Sequence, residues 1–465
     1  MALRSLRAYA ACGESNYELL PFLSVKLPSI ICRYLSNALS SWWVVDQQGH
    51  TDFIAAGGPN HFSWNVIRSE ADELLFRHAA HSGAKTFEAV KVNSVTFTPS
   101  PTLDTGPGRP VSASYTQKSD GATGVVGFKY IIDASGRAGL LNTKYLKNRK
   151  YNQGPKNVAV WAYWKATGKY GEGTPRENSP YFEALTGSGW AWFIPLHDGT
   201  HSVGVVMDQG MMSQKKAVSE LSANARYLSW LKLAPRLNGY LTGGKMVTDL
   251  KTASDFSYDS SSYAFPYARV AGDAGCFIDP FFSSGVHLAI TGGLSAATTI
   301  CAAIRGDCDE VAAARWHSTK VKEGYSHWLV IVLSAYKQMS NQAEPVLSDV
   351  GEDNFDRAFN FFKPTEFSHT LNFVLKAFDR TIGGDLTSEE EEKIYEDIRK
   401  TQSQNMSNIE SFTMDIIDGR LPRLLRGKLG LDSVAGMEED TKHLSHGHGI
   451  VGDGRHSNIS VTTSL

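Results

Sequence analysis

Cysteine is scarce. The chain has five in 465 residues (Cys12, Cys32, Cys276, Cys301 and Cys308), with neither metal-site spacing nor the density of a disulfide framework. No metal site is expected, and the thiols read as reduced, structural groups in a cytoplasmic protein. Excess charge is also missing: Lys and Arg total 46 against 48 Asp and Glu, a formal net charge of −2. That balance argues against a nucleic-acid or anionic-membrane partner, since both demand a basic surface. Long hydrophobic runs are absent as well. The longest, His327 to Ala335, falls far short of the roughly 20 residues of a membrane span. The start, Met1 to Cys12, lacks the apolar stretch of a signal peptide. Only Gly13 and Gly49 precede Gly57, so no G-x-G-x-x-G loop stands near the start, and Lys26 is the only lysine in the first 84 residues.

What is present describes a globular enzyme-sized chain: 42% apolar, 20% charged, 42 glycines and ten tryptophans, with length for two or three domain-sized units. Residues 1 to about 50 give no clean strand–turn–helix pattern and contain the pair Trp42-Trp43. Ser69-Glu70-Ala71-Asp72 reads as a capping box, with Ala71, Leu74, Leu75 and Ala79 as one apolar helical face ending near Gly83. Strands are expected over Val90–Phe97 and Val111–Tyr115. Ser119-Asp120-Gly121 then turns into a buried strand over Val125–Ile132. Val158–Trp164, Trp190–Ile194 and Ser202–Met207 alternate, the last two forming a hairpin around His197-Asp198-Gly199 suited to walling an aromatic pocket. Ser219–Leu233 reads as helix, as does Gly285–Ile304, closed by Gly306. Beyond about residue 312 the pattern is mostly helical, with Ser388–Lys393 as a solvated helix start. The Gly/His/Ser-rich end, with His443, His446, His448 and His456, reads as a disordered tail.

The string from Arg269 to Ile290 carries the chemistry. Val270 ends a short strand, Gly272 and Gly275 permit close backbone approach, and the Asp273 carboxylate suits a polyol hydroxyl. Pro280–Gly285 leads into a small-residue helix, whose N-terminal N–H groups suit a halide or the anionic edge of a reduced flavin.

Gly272-Asp273-Ala274 resembles the second flavin motif of FAD-dependent monooxygenases. Asp133-Ala134-Ser135-Gly136-Arg137 resembles their Asp-Gly motif, and Arg68 matches an arginine placed near the cofactor. Trp190-Ala191-Trp192-Phe193-Ile194-Pro195 is similar to the Trp-x-Trp-x-Ile-Pro signature of flavin-dependent halogenases at every fixed position. Further stretches (Thr51–Asn60, Tyr145–Gln153, Pro175–Pro180 and Tyr336–Ser348) resemble the fungal, phenol-halogenating branch, closely over residues 50 to 365.

The resemblance implies an α/β (overall α+β) fold: a glutathione-reductase-type FAD domain with an antiparallel substrate sheet and a helical C-terminal part. It implies FAD as FADH2, chloride and O2 as co-substrates, and a separate flavin reductase. The expected chemistry runs through a flavin hydroperoxide and hypochlorous acid to a phenolic polyketide, as part of secondary metabolism. Arg68, Asp133, Gly136, Gly272, Asp273 and Val286 would serve the flavin, the amides of Ser284 and Gly285 chloride, and Trp190, Trp192, Ile194 and Pro195 the tunnel. Phe282 stands where tryptophan-halogenating relatives carry a glutamate, which favours a phenol.

The departures from the family sit at the front. Gly13-Glu14-Ser15 with Leu19-Leu20-Pro21 resembles a segment that normally follows the first βα unit, so that unit is expected to be missing. The family's lysine position falls near Ser41, leaving Lys26 as a weak candidate. The expected units are an atypical segment 1–50, an interleaved FAD and substrate-sheet domain 51–310, a helical region 311–436 and a tail 437–465. A flavin-dependent aromatic hydroxylase and an inactive halogenase remnant are the two competing readings.

Overall fold

The structure is a computed structural model that describes residues 39–44, 47–52, 64–99, 107–152, 156–185, 189–217, 221–255, 257–340, 412 and 415–434. Lys26, the Ser388–Lys393 stretch and the expected tail lie outside them. Strands β1 (Leu39–Val44) and β2 (Gln47–Asp52) precede helix α1 (Arg68–His81). Next come β3 (Val90–Thr98), β4 (Arg109–Gln117), β5 (Thr123–Gly127), β6 (Ile131–Asp133) and β7 (Arg149–Tyr151). The strands β8 (Asn157–Lys165), β9 (Tyr181–Ala184), β10 (Trp190–Pro195) and β11 (His201–Asp208) lead to helices α2 (Gln209–Ala217), α3 (Ala223–Leu231) and α4 (Pro235–Tyr240). Five short strands follow: β12 (Lys245–Met246), β13 (Lys251–Asp255), β14 (Tyr258–Ser260), β15 (Ala264–Phe265) and β16 (Ala268–Val270). The remaining elements are α5 (Gly285–Arg305), α6 (Glu310–Ser340), β17 (Arg420–Arg423) and β18 (Gly430–Ser433).

One large sheet runs β12–β8–β11–β10–β9–β1–β2, with β13 also on β8. Its pairs are antiparallel except β1 on β9. The stretch holding Trp42-Trp43 is therefore strand, opposite Gln48 and Gly49.

The period-two alternation of these strands sets the two faces of the sheet. Val158, Val160, Ala162 and Trp164 of β8, Ala191 and Phe193 of β10, and Val203, Val205 and Met207 of β11 point to one side. There they pack with Met212, Tyr227, Trp230, Leu231 and Leu237 from α2, α3 and α4. Each fully buried side chain of this kind contributes about 1.5–3 kcal/mol, which fixes the register and commits the intervening residues to the other face. Those are Trp190, Trp192 and Ile194, which join Phe182, Val206 and Phe281 in a separate cluster. The expected hairpin is present, with Trp192 opposite Gly204.

A smaller sheet, β15–β16–β6, pairs β16 with β6 in parallel, Val270 beside Asp133. Helices α5 and α6 lie against it. His317 of α6, fully buried, links Val270 O at Nε2 and Ser295 Oγ at Nδ1, each at 2.9 Å. Helix α5 is the one described helix long and apolar enough to cross a membrane. Its residues Gly292, Gly293, Ser295 to Thr299 and Ala302 are buried inside the protein instead. As expected it closes on Gly306, at φ +79°.

Two expectations are corrected. Val125–Ile132 is not one buried strand: β5 is the edge of the β3–β4–β5 sheet, with Val125 71% and Val126 51% exposed, and Ile131–Asp133 joins another sheet. An apolar run alone does not distinguish an edge from a core strand. The capping box does not form, because α1 opens one residue before Ser69 with Ile67 as N-cap and no side-chain cap bond. Its buried residues are Phe76 and Ala79. Past residue 312 the described residues continue α6 and then form the β17–β18 hairpin.

Candidate active site

The parallel pair β6 and β16 brings two distant sequence motifs to one edge. Carboxyl ends of parallel strands are where α/β folds bind ligands, and here those ends are Asp133 and Val270–Asp273. Asp133 is buried and its carboxylate accepts from the N–H groups of Ser135 at 3.0 Å and Leu141 at 2.6 Å. Its side chain thus shapes the loop after β6, and its carbonyl accepts from Ala271 N at 2.9 Å. In that loop Gly136 has φ +67° and open space where a Cβ would stand.

Beside it, Gly272 opens a single 3-10 turn with Asp273 at its centre. Gly272 has φ +62°, and a Cβ there would sit 3.0 Å from Cβ of Ala289 in α5. The turn therefore packs directly on α5, four residues past its start, about 6 Å along the axis at 1.5 Å per residue. Burial pushes the Asp273 carboxyl above the usual carboxylate range, opposed by the positive charges of Arg68, Arg137 and Arg149. Arg68 is exposed and ion-paired with Asp72 at 3.2 Å. Arg149 is held rigidly: it donates to Arg137 O at 2.7 Å and Ala274 O at 3.2 Å, and its guanidinium lies 3.9 Å from the Tyr258 ring centroid.

Helix α5 begins at Gly285 with Ser284 as N-cap. Ser284 is only 2% exposed and its hydroxyl has no hydrogen-bond partner. A Cβ on Gly285 would meet nothing within 4 Å. Ser283, just before, is held in the left-handed region at φ +54°. A buried hydroxyl without a partner beside open space at a helix N-terminus is a setting that suits an anion. Val286 lies half-buried in the first turn.

Strand β10 faces the same turn. Trp190 stands edge-on to Phe281 at 5.1 Å and 5.6 Å from Trp192. Its indole N–H donates to Tyr336 of α6 at 2.7 Å. Trp192 donates to Ser202 at 3.0 Å and lies 6.3 Å from Trp161. Ile194 packs into the same cluster, and Pro195, buried, ends the strand opposite His201. Phe282 is edge-on to Phe281 at 4.8 Å and 6.3 Å from Trp328, so this position is an apolar wall.

The nominated Arg68, Asp133, Gly136, Gly272 and Asp273 thus gather at the ends of β6 and β16. Ser284, Gly285 and Val286 lie at the start of α5, and Trp190, Trp192, Ile194 and Pro195 across from it. Ser41, where the lysine would align, lies in β1 opposite His50 and Tyr181. Sequence reasoning did not nominate Asn157, Gly204, Asp279, Arg137 or Arg149. Only Arg137 had a signal, since it directly follows Gly136. A flavin fits these residues: Gly136, at positive φ with open space where a Cβ would stand, clears the approach, a buried hydroxyl without a partner stands at a helix start, and an aspartate sits among arginines.

This fold is that of flavin-dependent halogenases. The halogenase CmlS superposes with a TM-score of 0.63 at 23% identity, covering 93% of this chain and 81% of its own. The myxobacterial chondrochloren halogenase CndH gives 0.62 at 22%, covering 92% and 96%. The tryptophan halogenase family profile matches residues 57–356. The flavin-dependent halogenase ascD of Acremonium egyptiacum is 47% identical over 460 residues, 88% of this chain and 83% of that protein. The sulochrin halogenase gedL of Aspergillus terreus (strain NIH 2624 / FGSC A1156) is 44% identical over 435 residues, 83% and 79% respectively. The chain belongs to the flavin-dependent halogenase family and is an enzyme of that kind.

Proposed function

We propose that the chain chlorinates a phenolic, polyketide-type aromatic in the cytoplasm, using FADH2 delivered by a separate reductase, O2 and chloride. The observation that carries this reading is the partnerless buried hydroxyl of Ser284 beside the open start of α5. Bound reduced flavin, with O2, supplies the two-electron oxidising equivalent that chloride needs. The residues of the chain do the rest. Ser284 Oγ and the first N–H groups of α5 hold the chloride, where the helix dipole favours an anion. Asp273 accepts from flavin polyol hydroxyls, with Gly136, Gly272 and Val286 leaving room for the rings and chain. The Trp190–Trp192–Ile194 face and Phe281 keep water and the phenol away from the flavin, so that oxidised halogen rather than oxygen reaches the substrate.

Phe282 offers no carboxylate, which suits a phenol that activates its own ring. The sulochrin-halogenating relative supports a substrate of this class.

The test is incubation with FAD, a flavin reductase, NADH, O2 and chloride against a panel of polyketide-type phenols, read by mass spectrometry. Replacement of one hydrogen by chlorine is the expected product, and bromide competition ranks the halides. Hydroxylated phenol alone would instead assign the chain as an aromatic hydroxylase, and phenol binding without flavin uptake as an inactive remnant.

A further inference from the structure

Three groups from distant parts of the chain meet at one hydroxyl behind the Trp190 face. Tyr336 Oη lies 2.7 Å from Trp190 Nε1, 2.8 Å from Asp279 Oδ2 and 2.9 Å from Asn157 Nδ2. Asn157 Nδ2 also reaches Asp279 Oδ2 at 2.9 Å, and Asp279 Oδ1 accepts from Phe281 N at 2.9 Å. Trp190, Asn157 and Asp279 are all buried. The donors and acceptors fix the direction of the line. An indole N–H can only donate, so Tyr336 accepts from Trp190; a carboxylate accepts, so Tyr336 donates its own proton to Asp279. Asp279 in turn caps the 280–282 turn that delivers Ser283 and Ser284 to the start of α5. Trp190 is therefore coupled, through two hydrogen bonds and one aromatic edge contact, to the turn that sets the start of α5.

We propose that Tyr336 is a positioning residue: it ties the Trp190 wall to the Asp279 turn, and so keeps the path from the flavin side to the phenol sealed from solvent. This rests on the function proposed above. In a dry site a polar line of this kind either orders its members or, when one is lost, leaves the others unpaired. Tyr336→Phe keeps the ring against Phe281 and removes only the hydroxyl. Trp190 N–H then has no acceptor and can turn, opening the wall to solvent.

The experiment measures halogenated phenol formed per reduced flavin oxidised, together with hypohalous acid captured by a trap in solution. In Tyr336→Phe the ratio falls several-fold and the trapped fraction rises. Wild-type coupling in a folded Tyr336→Phe protein would overturn the proposal. Asp279→Asn breaks the same line from its other end, turning an acceptor toward two donors into an amide, and serves if Tyr336→Phe does not fold. A structural readout independent of turnover accompanies both. With 5-fluorotryptophan incorporated, the 19F resonance assigned by its loss in Trp190→Phe shifts and broadens in Tyr336→Phe. An unmoved resonance would also overturn the proposal. A shifted resonance in a protein whose wild type halogenates nothing would sink the functional reading while leaving the positioning role standing.

Discussion

Gly204 of β11 lies directly opposite Trp192 of β10, and a Cβ at that glycine would come within 2.3 Å of the indole Cζ2. The indole lies flat across its neighbour, with its N–H on Ser202. Gly204→Ala forces either the ring or the strand to move. Overpacking of this kind costs about 1–3 kcal/mol, and here the displaced group is Trp192, proposed above to shield the flavin. The expected outcome is a lower denaturation midpoint together with a larger loss of halogenated product. A variant that melts earlier but keeps the wild-type ratio of product to flavin oxidised would show that Trp192 is scaffold only.

Ser284 and Gly285 separate binding from stability. Ser284 Oγ is buried without a partner, and removing an unsatisfied polar atom is close to neutral for folding. Ser284→Ala should therefore melt like the wild type. If the hydroxyl donates to chloride, a hydrogen bond to a charged group worth about 1.5–3 kcal/mol disappears, and half-saturation by chloride rises about tenfold or more. Gly285→Ala adds a methyl group into open space at the first helical position. Alanine favours helix over glycine by up to about 1 kcal/mol, so this variant should gain stability while losing halide turnover. Chloride titrations beside thermal melts check both, and an unchanged chloride dependence in each would move the halide elsewhere.

The parts of this site legible in the sequence are those whose signal is local. Trp190 and Trp192 share a face because a strand has period two, and that was readable from Trp190–Ile194. The start of α5 and its Gly306 stop were readable because caps are set by nearest neighbours. Gly204, Asn157, Asp279 and Tyr336 were not, since their roles arise from cross-strand register and tertiary packing. Trp190 and Tyr336 are 146 residues apart, and no periodicity connects them. Val125 and Val126 misled for the complementary reason: their apolarity was local, while their exposure follows from β5 being an edge.

Two histidines, His317 fully buried and His201 half-buried, set an acid limit. Burial first, then Arg269, pushes His317 down to about 3, with its bond to Val270 O opposing; burial, then Lys169, brings His201 to about 4 against the pull of Asp198. Both values lie below the ordinary 6.5 of an unfolded chain, so the unfolded state takes up these protons first. Their contribution is complete above about pH 6.5 and is lost as pH falls toward 4 and then 3. Each histidine gives a limiting slope of about 1.4 kcal/mol per pH unit in that window. Urea midpoints measured from pH 7.5 to 4.5 should decline steadily below 6.5, and less steeply in His201→Gln. A midpoint flat down to pH 5 would contradict the neutral state of both rings.

Asp273 has the opposite sign. Its carboxyl is raised by burial, so the folded protein without cofactor prefers the protonated form more than the unfolded chain does. Stability associated with this group is fully present below the unfolded carboxylate value and is lost as pH rises through the folded one. Asp273→Asn supplies a neutral group of the same shape and removes that loss. The cofactor-free variant should therefore be more stable than the wild type near pH 7, with the gap closing as pH falls. If Asp273 also accepts from flavin hydroxyls, the same variant should retain less FAD after desalting, because an amide presents a donor where the carboxylate presented an acceptor. Higher stability with weaker flavin retention is what a residue kept for binding rather than folding predicts. Denaturant curves across pH and the absorbance of retained flavin measure the two halves separately. Lower stability of the cofactor-free variant at pH 7 would show that the three arginines outweigh burial and that Asp273 is a structural anchor.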